Sequence, residues 1–247
     1  MLEFEVHYDA VDKSDMHLHN LMRPVPAISM LPEWFKRLKT NDDPDQEAAT
    51  VKQCRGVWDI LSMGYLILWP FDVEIFKNPE GKLDIVKARS KTTEDFHPHP
   101  HVQLEGYQDI NLQNQAQGIQ KISTPYKIKT PPGTSIMMMQ PPYRPDLKTM
   151  VMPGVIDTDT YYGEFNVLFT INEVSGKRKL KIRGGTPLAQ IVPFVREEWN
   201  LKFGKIDKEE EEVGLMFAQN VDKFYQKHMW HRKVYKSETD SELANRD

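Results

Sequence analysis

Between Thr50 and Phe194 the apolar residues come in short runs, each stopped by glycine or proline, and this punctuation constrains the fold more than any other feature of the chain. Strand-like runs occupy 64–69, 71–75, 126–129, 135–139, 164–171, 179–182 and 188–194. They are too short and too regularly interrupted for ordinary helices, and they suit a sandwich or barrel of short strands. The run 64–69 (Gly-Tyr-Leu-Ile-Leu-Trp) has no polar alternation, so it predicts a strand buried on both faces. Cys54, at the head of the next apolar stretch, reads as a small core residue on a strand.

Helical spacing is confined to the ends. Pro32 at a first turn, followed by Trp34, Phe35 and Leu38, predicts a short amphipathic helix. The apolar positions between 213 and 235 predict a longer C-terminal helix, against which Trp199, Trp230 and Tyr235 pack. Leu2, Phe4 and Val6 alternate with Glu3, Glu5 and His7, as in an edge strand. Length alone permits one large domain or one with appended helices. The division expected is a β-rich domain over 1–200, with its core at about 50–195, and a helical extension with a polar tail over 201–247.

Composition narrows the partners. The 36 acidic and 32 basic residues are mixed along the chain and leave a formal charge of −4. That balance argues against binding duplex nucleic acid, which needs a basic face. No stretch reaches the ~18 apolar residues of a membrane span, and the mixed, acidic start of the chain has no signal-peptide pattern. One cysteine excludes an internal disulfide framework and any multi-cysteine zinc site. The expected setting is cytoplasmic.

Three blocks carry a resemblance. Thr130-Pro131-Pro132-Gly133-Thr134 is similar to the turn that precedes a core strand in the trimeric dUTP pyrophosphatases (dUTPases). Gly154-Val155-Ile156-Asp157-Thr158-Asp159, with Tyr161-Tyr162-Gly163-Glu164 behind it, resembles their GVIDxDYxGE block. Ile182-Arg183-Gly184-Gly185-Thr186-Pro187-Leu188-Ala189-Gln190-Ile191 resembles their IxxGDxIAQL block, and its GTPLAQ version is similar to dCTP deaminases. The blocks lie in order over about 125–195. They imply a mainly β fold of the dUTPase-like β-clip type, a distorted barrel.

For the site, the resemblance implies that Asp157 contacts the sugar and orients the attacking water. It implies further that Tyr161 or Tyr162 stacks on the sugar, that Asp159 belongs to the same hairpin, and that Gln190 lies near the phosphates. The trimeric family also implies a homo-oligomer with pockets between subunits. Two departures weigh against dUTP hydrolysis in the family's manner. Where the enzymes carry Pro-Arg-Ser-Gly, this chain reads Gln140-Pro141-Pro142-Tyr143-Arg144-Pro145, with Arg144 the residue there suited to an anion or to a surface salt bridge. The glycine-rich C-terminal arm is replaced by a predicted helix. One extra residue between Asp157 and Gly163 leaves the tyrosine's match open. A second resemblance spans nearly the whole chain, through PVPAISMLPEWFK, LSMGYLILWPFDV, PPGTSIMMMQPPYRPDL and GTPLAQIVPFVREEW. It points to an uncharacterised family of tailed-phage and bacterial proteins and brings no activity with it.

Read without the resemblance, Gly154 and Gly163 bracket a tight acidic hairpin in which glycine supplies positive φ. Within it, Asp157 and Asp159 serve equally as turn-formers through Asx hydrogen bonds or as ligands. His97, His99 and His101 alternate along an extended segment, which places three imidazoles on one face where they can approach a metal. Prolines between them suit an exposed loop just as well. Three functions therefore compete: a β-clip protein that binds a nucleotide or similar small ligand near the hairpin, a structural or interaction protein such as a virion component, and a metal-dependent barrel enzyme that uses the histidines. No cofactor is specified by the sequence.

Overall fold

The computed structural model describes residues 5–7, 23–39, 50–77, 83–87, 96–98, 119–124, 126–161, 163–171 and 179–219. The chain is mainly β and antiparallel, and its strands fall into four sheets. The largest is five-stranded, in the order β11 (Gly154–Ile156), β9 (Thr134–Met139), β14 (Pro187–Val195), β3 (Tyr65–Leu68) and β2 (Val25–Pro26). A four-stranded sheet runs β10 (Thr149–Val151), β12 (Asn166–Ile171), β7 (Gln120–Ser123) and β6 (Phe96–Pro98). Three strands, β13 (Lys179–Ile182), β4 (Val73–Lys77) and β5 (Leu83–Lys87), form the third, and β1 (Glu5–His7) pairs with β8 (Lys127–Lys129). Among the described residues these sheets do not close, so the distorted barrel becomes a set of packed open sheets.

Contacts divide the chain into two units. One comprises Leu2–Pro32 and Ile60–Arg196 and holds all the sheets; the other comprises Glu33–Asp59 and Glu197–Asp247, with Met1. In the sheet unit, Ile67, Trp69, Ile75, Ile122, Ile136, Phe169, Leu188 and Ile191 are almost fully buried in one apolar cluster. Each such side chain contributes about 1.5–3 kcal/mol relative to exposure. The continuous 64–69 run therefore belongs to the core, as its pattern demands.

The smaller unit holds the short N-terminal helix α1 (Glu33–Arg37), whose Phe35 is fully buried with its ring 5.6 Å from those of Trp34 and Trp58. Trp58 lies on a helix, α2 (Arg55–Ser62), and not on a strand. Val57, Trp58 and Leu61 stand at helical spacing, and that period wins over the short length of the apolar run. Cys54 precedes this helix and is exposed, which corrects its reading as a core residue. The C-terminal helix α3 (Lys208–Gln219) begins earlier than its apolar residues suggest. Asp207 and Glu210 form a reciprocal capping box there, with Glu210 N–H donating to Asp207 Oδ1 at 2.8 Å and Asp207 N–H to Glu210 Oε2 at 3.3 Å. Trp199 is 86% exposed, contrary to the helix-docking expectation; Trp230 and Tyr235 lie outside the described residues. No described helix is long and apolar enough to cross a membrane.

Candidate functional site

The first two motif blocks meet. Pro131, Pro132, Gly133 and Thr134 make a tight turn closed by Thr134 N–H donating to Pro131 O at 3.1 Å, with Gly133 at φ +77°. Proline at the second position and a left-handed glycine at the third define a type II turn. The positive φ thus falls on Gly133; Gly154 and Gly163, where it was anticipated, do not adopt it. At Gly163 a Cβ would stand 2.6 Å from the hydroxyl of Tyr161, so a side chain there would push that exposed ring aside.

This turn launches β9, which pairs with β11 so that Ile156 lies opposite Ile136. Continuing that register brings Asp157 to Ser135. The other neighbour of β9 is β14, whose Phe194 lies opposite Ser135, so the next residues of β14 reach the same place. There Asp157 Oδ1 accepts from Ser135 Oγ and from Arg196 Nη2, both at 2.7 Å, while Arg196 Nε donates to Ser135 Oγ at 3.1 Å. The Arg196 guanidinium also sits 5.5 Å from the centre of the Phe194 ring. First the Arg196 hydrogen bond and then that of Ser135 hold the Asp157 carboxyl below its ordinary value of 3.8. The group is ionised and oriented, yet half-exposed. Its Oδ2 and the Nη1 of Arg196 have no partner among the described residues.

β11 pairs with β9, whereas the next strand, β12, pairs with β10 and β7 in another sheet, so Gly154 and Gly163 bracket a turn between sheets and not the expected hairpin. The rest of that turn braces this carboxylate. Thr158 is buried, and its hydroxyl shares a hydrogen bond of 2.7 Å with Thr130. Asp159 Oδ2 accepts from Gly133 N–H at 2.8 Å, tying this turn to the Pro131–Thr134 turn. Thr160 and Tyr161 N–H both donate to Asp157 O, at 3.0 and 2.7 Å. The Tyr161 hydroxyl donates to Glu164 O at 2.8 Å, so the ring is exposed but its polar end is committed. Asp157 is therefore presented outward, Asp159 is a brace, and Tyr162 lies outside the described residues.

Gln190 and Arg144 belong elsewhere. Gln190 stands six residues before Arg196 on or beside β14, roughly 20 Å away at ~3.3 Å per residue. Its buried amide donates to Ile60 O at 3.0 Å and Met63 O at 2.9 Å. Arg144 makes a two-pronged pair with Asp146, at 3.0 and 2.8 Å, and also donates to Met30 O at 3.3 Å. Both side chains line a crevice of only about 10 Å³, shared with Met30, Pro32 and Pro141. That is room for one water at most. Of the histidines, His97 is placed by its backbone on β6, opposite Lys121; His99 and His101 lie outside the described residues. A separate open cleft of about 280 Å³ is lined by Lys148, Lys181, Arg183 and Thr186.

Arg196 and Ser135 are the residues that sequence reasoning missed. Their signal is register, since both are remote in sequence from Asp157 and are joined to it only by the pairing of β9 with β11 and β14.

No family model matches the chain, and no curated protein matches it. Solved dUTPases are similar to it. A mutant dUTPase of phage phi11 of S. aureus, described with a structural Mg(II) ion, is 13% identical over 83% of this chain and 99% of its own, with a TM-score of 0.37. The EIAV dUTPase is 18% identical over 59% of this chain and 88% of its own, with a TM-score of 0.32. A mutant dUTPase of Staphylococcus bacteriophage 80alpha, solved with dUpNHpp, is 13% identical over 59% and 87%, again with a TM-score of 0.32.

Proposed function

We propose that this chain binds a nucleotide, or a similar hydroxylated small ligand, at the Asp157 turn. The observation that carries the reading is the divided carboxylate: Oδ1 is fixed by Arg196 and Ser135, and Oδ2 is left to accept from a ligand hydroxyl. A charge-assisted acceptor is stronger than a neutral one, and the idle Nη1 of Arg196 adds a donor for an anionic or carbonyl group beside it. The resemblance of the GVIDTD block to the sugar-contacting block of the dUTPases agrees with this chemistry.

Two features favour binding over triphosphate hydrolysis. Loops that cradle phosphates do so with backbone N–H groups, and Pro141, Pro142 and Pro145 have none. Gln190, which the resemblance sets near the phosphates, has both amide hydrogens committed to Ile60 and Met63.

Thermal unfolding in the presence of nucleosides and their mono-, di- and triphosphates, with and without Mg²⁺, tests the proposal. A ligand at 100 times its Kd stabilises a fold by about 2.7 kcal/mol. A shift with one base that Asp157→Ala abolishes and Arg183→Ala preserves supports the Asp157 site. A shift abolished only by Arg183→Ala moves binding to the open cleft and overturns the proposal, as does the absence of any shift. Pyrophosphate release from dUTP, lost in Asp157→Ala, would restore the hydrolase reading. An interaction role is favoured by a different observation, the uncovered apolar side chains that follow β14.

A further inference from the structure

The open cleft of about 280 Å³ carries a charge opposite to that of the chain as a whole. Buried apolar side chains, Trp69, Leu147 and Ile182, contribute to its lining. Three exposed cations, Lys148, Lys181 and Arg183, line it together with a single acid, Asp146. That acid is already engaged by Arg144, which donates to its two oxygens at 3.0 and 2.8 Å. Positive charge is therefore in excess here, although the formal charge of the chain is −4. Lys181 is only loosely paired, its Nζ standing 3.6 Å from Asp72 Oδ2. Lys148 and Arg183 make no hydrogen bond or ion pair among the described residues. Like charges gathered in a concave, partly apolar site focus the field and raise the local concentration of anions.

The backbone that carries these cations is fixed. Arg183, Gly184, Gly185 and Thr186 form a turn closed by Thr186 N–H donating to Arg183 O at 3.2 Å, with Gly185 at φ +79°. Gly184 N–H donates to Asp72 Oδ1 at 2.9 Å and Gly185 N–H to Trp69 O at 2.8 Å, so the turn is fastened at its middle. Its two ends, Arg183 and Thr186, both line the cleft. A second turn closes through Leu147 N–H donating to Arg144 O at 3.2 Å, and β10 starts at Thr149. Lys148 stands between that turn and that strand. Both backbone positions are set before a ligand arrives, which lowers the ordering cost of binding.

We propose that Lys148, Lys181 and Arg183 hold a phosphate group in this cleft. The planar guanidinium of Arg183 matches two phosphate oxygens, and the lysines act as point charges on the rest. Three cations answer a group with two charges and several free oxygens better than they answer one carboxylate. The volume lies at the small end of ligand clefts, so the phosphate is inorganic or belongs to a small molecule. This is not where the dUTPase resemblance puts phosphates, since Gln190 lines the separate crevice of about 10 Å³. The cleft shares no residue with the Asp157 site, and the proposal stands or falls without that reading.

Two probes test it, inorganic pyrophosphate and glycerol phosphate. Each is titrated into the full chain without metal at constant ionic strength, and binding is read from phosphorus NMR linewidths and from thermal unfolding. Both should bind and raise the unfolding temperature, with affinity falling as added chloride screens the cations. Lys148→Ala and Arg183→Ala should each weaken binding about tenfold or more, and the double variant should abolish it. Both residues are exposed, so unchanged circular dichroism is expected in each variant. Asp157→Ala should bind as the wild type does. The tighter probe names the source, pyrophosphate for a free inorganic ligand and glycerol phosphate for a phosphorylated small molecule. A chain that binds neither probe overturns the proposal. So does binding that survives in the folded double variant, or binding that Asp157→Ala removes.

Discussion

At the scale of the residue, three glycines show how one torsion angle can cost different amounts. Gly64, Gly133 and Gly185 have φ of +67°, +77° and +79°. Any side chain there carries the left-handed penalty of about 1–2 kcal/mol. Gly64 carries more. A Cβ on it would stand 2.1 Å from Ile191 O, inside the β3–β14 pairing, whereas nothing lies within 4 Å of a Cβ on Gly133. Gly133→Ala should therefore cost about 1 kcal/mol and leave the Asp159 brace intact. Gly64→Ala should cost at least about 3 kcal/mol, because the strained torsion and the displaced strand add. Equilibrium urea unfolding of the two variants checks the ratio, and equal losses would mean that the backbone at Gly64 moves without penalty.

At the scale of the element, β14 serves two places at once. Near its middle Gln190 closes the end of α2, supplying donors to Ile60 O and Met63 O where a helix leaves carbonyls unpaired. Just beyond its far end Arg196 orients Asp157. Gln190→Leu keeps the volume but strands two carbonyls, which should cost about 1–3 kcal/mol each that water cannot reach. It should lower the denaturation midpoint and spare any ligand shift at the Asp157 turn, while Arg196→Ala should do the reverse. A ligand shift lost in Gln190→Leu at temperatures where the variant is folded would show that the two ends act as one site.

This division also explains what the sequence could and could not reveal. The Pro-Pro-Gly turn and the β9 run are local chemistry, written in contiguous residues, and they were legible; that the GVIDTD segment turns was legible too, but not that the strands on its two sides join different sheets. The β3 core strand was legible because a wholly apolar run has few alternatives. Arg196 was not, since its role depends on which strands pair and in what register, and alternation alone fixes neither. The helix at Arg55–Ser62, just after a Cys54 expected on a strand, was not legible because eight residues hold little more than two turns of periodicity. Gln190 was assigned by likeness to phosphate contacts, yet its buried position on β14 gives it a structural task.

At the scale of the whole molecule, three carboxylates hold loop segments in place, and all three are held below their ordinary value of 3.8. Asp72 accepts from Gly184 N–H at 2.9 Å, and that hydrogen bond lowers it most. Asp146 is lowered chiefly by its hydrogen bonds from Arg144, and Asp157 by those from Arg196 and then Ser135. A depressed folded value means that the unfolded chain takes up the proton first. Each group's contribution is therefore fully present above about pH 4–5 and drains away as the pH falls through 3.8 toward the folded values. The three anchors lie on separate segments, so their losses should add. Stability measured by thermal unfolding should be flat with respect to these groups from pH 5 to 7 and fall below about pH 4. In the triple variant Asp72→Asn, Asp146→Asn, Asp157→Asn that acid limb should flatten, because no proton remains to be taken up at these positions. A triple variant with the wild-type acid limb would assign acid unfolding to other carboxylates and reduce the three contacts to surface pairs of little weight.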